Sequence, residues 1–290
     1  MKIQILHAHQ DDYEFTAAGT FEMWKRKLGD ELKAKVVICT DGRSGHHLQT
    51  RDDTGNIRIQ EQRASAKIGG YDYDQLIGPN GEVIRDGSFI LTPALLSGFW
   101  KAIRDFEPDY LFSPPVPTDP LAGVHNDHVG VADAVRKIAY LINVPHAFTP
   151  EYPADETASA PCKVPVILNV FDSYMGGANT FDLVVDVEEA FEQICEMSFC
   201  HQSQINEWLP WVSGQPLEKP YNLAEWTDIS RKRSDEFNAK FGIKTKGAVV
   251  VFTVTAWGSI PNYEKLLADF PNIITSASNL DGLKKKIEQF

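Results

Sequence analysis

Cysteine is scarce in this sequence. The four residues Cys39, Cys162, Cys195 and Cys200 show no CxxC spacing, and two of them stand inside apolar runs as buried free thiols do. Neither a disulfide framework nor a thiolate metal site is indicated. Positive charge is also short: 28 Lys and Arg stand against 40 Asp and Glu, a formal net charge of -12. That balance works against attraction to a phosphate backbone or an anionic membrane. No uninterrupted apolar stretch approaches bilayer-spanning length, and the opening MKIQILHAHQDD lacks the apolar core and cleavage site of a signal peptide. A cytoplasmic protein with no nucleic-acid or membrane partner is expected, and small neutral molecules fit best as substrates. The one basic run, Lys284-Lys285-Lys286, reads as the solvated face of a last helix.

What is present is an ordinary globular composition, 43% hydrophobic and 23% charged over 290 residues, enough to bury a sizeable core. One domain over 1-290 is expected, with a C-terminal extension from about residue 205. Lys2 to Ala8 and Ala34 to Thr40 read as continuous apolar strands of the parallel-sheet kind. A weaker strand is expected at 74-77 and further strands at 109-113, 164-171, 181-187 and 248-255. Helical spacing marks 15-28, 57-68, 93-106, the run from His125, 190-201 and 229-241, with 148-162 as a long surface loop. This alternation predicts an α/β fold, a Rossmann-like, doubly wound and mostly parallel sheet with helices on both faces.

Two clusters carry the chemistry. The run HAHQDDYEF places His9, Asp11 and Asp12 just after the first strand. In open α/β sheets ligands bind beyond the carboxyl ends of strands, so these side chains point into the functional crevice. After the fourth strand and a Pro-rich loop comes His125-Asn126-Asp127-His128, at a helix start where residues three apart share a face. A strand order 3-2-1-4 makes the first and fourth strands neighbours and brings the clusters together. Two imidazoles and one carboxylate leave positions open for water on a metal ion, the pattern of a catalytic site, and His9, Asp12 and His128 are the expected ligands. Taken singly each cluster reads as turn or capping residues; their co-occurrence at adjacent strand ends argues otherwise.

AHQDDYE, TDGRSG and HNDH, with RIQEQRASAKIGG and the later VVDVEEAFEQICEMSFCHQSQ, resemble the motifs of the PIG-L/LmbE family of zinc-dependent N-acetylglucosaminyl deacetylases. The resemblance covers about Met1 to Gln204, and it departs from the usual AHPDDE where Gln10 replaces proline and Tyr13 replaces glutamate. It implies a Zn2+ cofactor, although Fe2+ suits the same ligand set, and a small-molecule N-acylated amino sugar or its conjugate as partner. It further implies Asp11 as general base, His125 facing the acyl carbonyl and stabilising the oxyanion when protonated, Asp127 orienting a neighbouring imidazole, and Arg58 on substrate. Arg43 of TDGRSG is a further substrate-binding candidate. His46, His47 and His201 read as surface, capping or packing residues, and Trp208 and Trp211 as packing or a sugar-stacking surface. Two other readings stand beside the deacetylase: an amidase acting on a thiol conjugate or another acyl amine, and a metal-free nucleotide or sugar binder on the same fold. The absence of G-x-G-x-x-G after the first strand argues against the second. The number of copies in the assembly is open, a homo-oligomer included.

Overall fold

The computed structural model describes residues 1-157, 161-178 and 180-290. Seven strands form one sheet in the order β3-β2-β1-β4-β5-β7-β6: β1 (Lys2–His7), β2 (Lys33–Ile38), β3 (Asp72–Gln75), β4 (Tyr110–Ser113), β5 (Val166–Val170), β6 (Leu183–Asp186) and β7 (Val249–Val254). The first five strands run parallel, in the expected order 3-2-1-4, and β7 pairs antiparallel with both β5 and β6. Strand β1 lies between β2 and β4, in register from Lys2 opposite Lys33 and from Ile3 opposite Tyr110.

Side-chain alternation splits the core across the sheet. Ile3 and Ile5 face a layer built from α1 (Asp12–Thr16), α2 (Ala18–Leu28), α3 (Arg51–Gly69), α6 (Phe191–Phe199) and the later helices. Leu6 and Ala8 face the opposite layer, built from α4 (Pro93–Phe106) and α5 (Asn126–Ile138). The remaining helices are α7 (Leu209–Val212), α8 (Leu223–Phe241), α9 (Tyr263–Asp269) and α10 (Leu280–Ile287). Among the described residues no helix is long and apolar enough to cross a membrane.

Differences from the sequence expectations are local and have physical causes. The first helix begins at Asp12 rather than Phe15 and is broken at Ala17, whose φ of -133° is not helical. Helix α3 starts at Arg51, ahead of its apolar repeat, because Thr50 caps it by accepting a hydrogen bond from the Asp53 N–H. Helix α8 likewise begins at Leu223, capped by Asn222. The expected loop over 148-162 contains a 3-10 turn at Pro153–Thr157, and its residues 158-160 lie outside the described residues. Of the three terminal lysines, Lys286 is not purely a solvated charge: its Nζ donates to Asp182 Oδ2 at 2.5 Å and to the Val254 carbonyl at 3.1 Å.

Candidate metal centre

The carboxyl ends of β1, β4 and β5 converge, and the loops leaving them supply one cluster of imidazoles and carboxylates. His9 Nδ1 and His128 Nε2 face each other at 3.3 Å. Asp12 completes the group, with Oδ2 at 3.4 Å from His9 Nδ1 and Oδ1 at 3.6 Å from His128 Nε2. Each imidazole has its other nitrogen committed: His9 Nε2 lies 3.0 Å from Asp127 Oδ2, and His128 Nδ1 lies 2.8 Å from Asp172 Oδ2. With those nitrogens donating to carboxylates, the two nitrogens that face each other are both lone-pair donors. Two lone pairs at that separation repel unless a proton or a metal cation lies between them. A tetrahedral zinc with bonds of about 2.0–2.2 Å separates its ligand atoms by roughly 3.3–3.6 Å, a separation the two facing nitrogens match, while Asp12 approaches His9 with one oxygen and His128 with the other.

The local sequence explains how they arrive there. His7 closes β1, and His9 follows it by two residues in the loop that leaves the strand. His7 Nδ1 lies 2.6 Å from Asp12 Oδ2, and the His9 N–H donates to the same oxygen at 2.8 Å, which leaves Asp12 Oδ1 open toward His128. Burial would raise the Asp12 carboxyl, but the His7 and His128 imidazoles outweigh it and hold the group well below its usual range. Burial likewise opposes a charge on His9, and Asp12, Asp127 and Asp86 together reverse that effect and push its pKa up. His125, at the N-cap of α5, stacks at 4.4 Å from His128 and 4.9 Å from His9. Burial, then the charges of His9 and His128, lower its pKa to about 4. Its ring nitrogens come close enough to those of His9 and His128 for the three imidazoles to form an alternative ligand set.

Asp11 stands beside this cluster in a backbone conformation rare for a residue with a side chain, φ 95°. Its N–H donates to Gln62 Oε1, and its carboxylate lies 3.3 Å from Arg58 Nη2. Burial raises its pKa to about 6, only partly offset by Arg58. Arg58 is itself buried and donates to the carbonyls of Gln10 at 2.6 Å and Gly42 at 3.3 Å, so its guanidinium holds the loop and Asp11 as well as lining the cavity. Arg43 is not on the cavity wall; its guanidinium pairs with Asp52 on the α3 side.

Three contributors were not singled out from the sequence. Asp86 enters because Ile84 bridges to Thr40 at the end of β2, which brings Asp86 Oδ1 to 3.4 Å from His9 Nε2. Asp172 sits just beyond β5, where the strand-end rule applied to a third strand finds it. His7, two residues before His9, was not singled out and enters through its contact with Asp12. Behind Asp11 lies a second buried network: Glu14 Oε1 accepts from Gln62, Ser65 and Tyr71, and Glu14 Oε2 lies 3.4 Å from His201 Nε2. His201 is therefore a packing residue with a charged partner. Trp211 stacks on His47 and Trp208.

The cluster opens into a cavity of about 650 Å3. Residues 4–139 match the PIG-L family model, described as GlcNAc-PI de-N-acetylase. No curated protein matches the sequence. Among solved structures, the N,N'-diacetylchitobiose deacetylase from Pyrococcus horikoshii is similar at a TM-score of 0.64 and 18% identity, covering 88% of this chain and 84% of its own. The 4-carboxy-2-hydroxymuconate hydratase GalB from Pseudomonas putida KT2440 reaches 0.59 at 16% identity, covering 87% of this chain and 95% of its own. The A40926 pseudoaglycone deacetylase Dbv21 reaches 0.52 at 15% identity, covering 89% and 98%. A hydratase and deacetylases share the architecture, so the fold alone does not choose the chemistry.

Proposed function

From a chain that is PIG-L-like over residues 4–139 and folded as the solved deacetylases are, we propose a metal-dependent hydrolase that removes an N-acyl group, acetyl in the simplest case, from an amino-sugar-type substrate. The observation that carries this reading is the pair of imidazole nitrogens facing each other at 3.3 Å, each ring anchored from behind by a carboxylate, with Asp12 alongside. His9, Asp12 and His128 would hold the ion, zinc or a similar divalent metal, which when bound supplies a water of lowered pKa and polarises the acyl carbonyl.

The chain's own groups account for the proton transfers. Asp11 takes the proton of the attacking water as the new C–O bond forms, because Asp12 is committed to the metal and Asp11 is not. Burial favours the protonated form of Asp11, which suits it to pass that proton to the leaving nitrogen as the C–N bond breaks. The products are a carboxylic acid and a free amine. His125 faces the same point and offers a ring N–H to the oxyanion of the tetrahedral intermediate. Asp127 and Asp86 fix the ring of His9, and Asp172 fixes that of His128. Arg58 positions Asp11 and lines the cavity.

Elemental analysis of the purified protein beside the His9→Ala/His128→Ala variant, followed by amine release from N-acetylated sugars, tests the reading. Stoichiometric divalent metal lost in the variant, with amine released only by the loaded wild type, is the expected result. A wild type that binds no metal after reconstitution rejects it.

A further inference from the structure

Asp11 stands at the N-cap of α1, where an aspartate ordinarily keeps an extended backbone and turns its carboxylate back onto the first N–H groups of the helix. Here φ is 95° and the side chain makes no capping bond. The two other non-glycine residues of positive φ among those described stand where that conformation is common: Glu107 ends α4, and Asn272 is an asparagine. Strain at a helix N-cap persists only where the surroundings impose it, and at Asp11 the surroundings are α3. Arg58 and Gln62 lie four residues apart on the buried face of that helix, and each takes one end of the peptide joining Gln10 to Asp11. Arg58 Nη2 donates to the Gln10 carbonyl at 2.6 Å, and Gln62 Oε1 accepts from the Asp11 N–H at 3.3 Å. A peptide is planar, so a grip on both its oxygen and its N–H fixes its rotation, and that rotation sets the φ of Asp11.

The two ends of the Gln62 amide have nearly the same shape, and only the oxygen can serve the Asp11 N–H. The groups behind it decide which end that is. Gln62 Nε2 donates to Glu14 Oε1 at 2.9 Å and to Tyr71 Oη at 2.7 Å, which engages both amide hydrogens. Tyr71 and Ser65 donate to the same Glu14 oxygen, and His201 Nε2 lies 3.4 Å from the other. Glu14, Gln62, Ser65, Tyr71 and His201 are all buried, so a reversed amide would leave buried groups unpaired. We propose that Gln62 and Glu14 are positioning residues for Asp11: Gln62, together with Arg58, clamps the Gln10–Asp11 peptide, and Glu14 dictates which end of the Gln62 amide faces it. Without the clamp the peptide turns over, Asp11 relaxes to negative φ, and its carboxylate leaves the crevice to cap α1. The clamp rests on these hydrogen bonds alone; its effect on turnover rests on the hydrolase reading, with Asp11 as base.

E14Q and Q62M nearly preserve side-chain volume and remove, in turn, the acceptor that orients the amide and the amide itself. In each, deuterium exchange of the Asp11 N–H, followed by NMR, should quicken by at least about tenfold. Amine release from N-acetylglucosamine should lose about 10–100-fold in kcat, with KM and metal content unchanged. The double variant E14Q/Q62E exchanges the carboxylate and the amide: the group at position 62 then accepts from Asp11 whichever way it turns, and the amide at position 14 donates to it. Its kcat should return to within about threefold of wild type. A role in stability alone would lower the melting temperature of the single variants without changing kcat where they are folded. Should one single variant fail to fold, the other carries the comparison. Unchanged exchange in a folded single variant, faster exchange with kcat unchanged, or a double variant no better than the singles overturns the proposal. Faster exchange in variants of a wild type that releases no amine keeps the clamp and rejects the hydrolase reading. Amine release by the wild type, with exchange and kcat untouched by either substitution, does the reverse.

Discussion

At the scale of single residues, the candidate centre is a set of carboxylates each given a different task by its neighbours. Asp11 and Asp12 are adjacent in sequence, yet imidazoles hold Asp12 ionised while burial pushes Asp11 up to about 6. Asp11→Asn should lower kcat by about 10²–10⁴-fold with metal content unchanged, checked by steady-state kinetics beside elemental analysis; loss of metal in this variant would move Asp11 into the ligand set. Asp172→Asn leaves the ligands in place but weakens the partner of His128 Nδ1, and metal affinity should fall about 10–100-fold in a competition titration with a chelator. The Asp12 and His128 positions were legible because sequence spacing and strand-end topology agree on them. Asp86 was not: it reaches His9 through a bridge between Ile84 and Thr40, a contact that no local spacing encodes. Arg58 was legible as a residue but not in its surroundings, since the carbonyls it binds belong to loops far from it in sequence.

Among the elements, α3 works as a lever that carries side chains to the site. Arg58, Gln62 and Ser65 fall on its buried face at helical spacing, and they reach Asp11 and Glu14 from behind. The apolar repeat alone suggested a later start for this helix because its N-terminal turns are polar. The capping geometry of Thr50 accounts for the extra turns. Thr50→Ala should cost about 1 kcal/mol of stability, read in denaturant unfolding, with metal affinity unchanged; weakened metal binding would mean that the cap also sets the position of Arg58. Strand assignments held best where apolar runs are continuous, in β1 and β2. The antiparallel placement of β7 between β5 and β6 has no counterpart in the pattern of any one strand, because direction is decided by pairing and not by periodicity.

Across the whole molecule, stability and charge interact. Glu22 is buried in α2 and its pKa is raised from 4.5 to about 7, the effect of burial outweighing nearby Lys25 and Arg26. In the unfolded chain the group ionises near its usual value, so between the two values the folded state holds a proton that the unfolded state has lost. Its contribution to stability is therefore full below about pH 4.5 and is lost as pH rises through about 7. Glu22→Gln should be more stable than wild type at pH 8, by on the order of 1 kcal/mol, with the gap closing toward pH 4.5; a gap independent of pH would show that Glu22 titrates alike in the folded and unfolded chain.

The candidate ligands and their supporting carboxylates come from residues 7-12, 86, 125-128 and 172, on loops that leave different strands of the sheet. Bringing them together requires β1 to have paired with β4 and β4 with β5, contacts of long sequence separation that form slowly and late. An ion at the candidate centre would meet its ligands together only where these strands have paired, unlike the ion of a small zinc module, whose binding is itself folding free energy. A nascent chain halted before Asp172 would lack the carboxylate that partners His128 Nδ1.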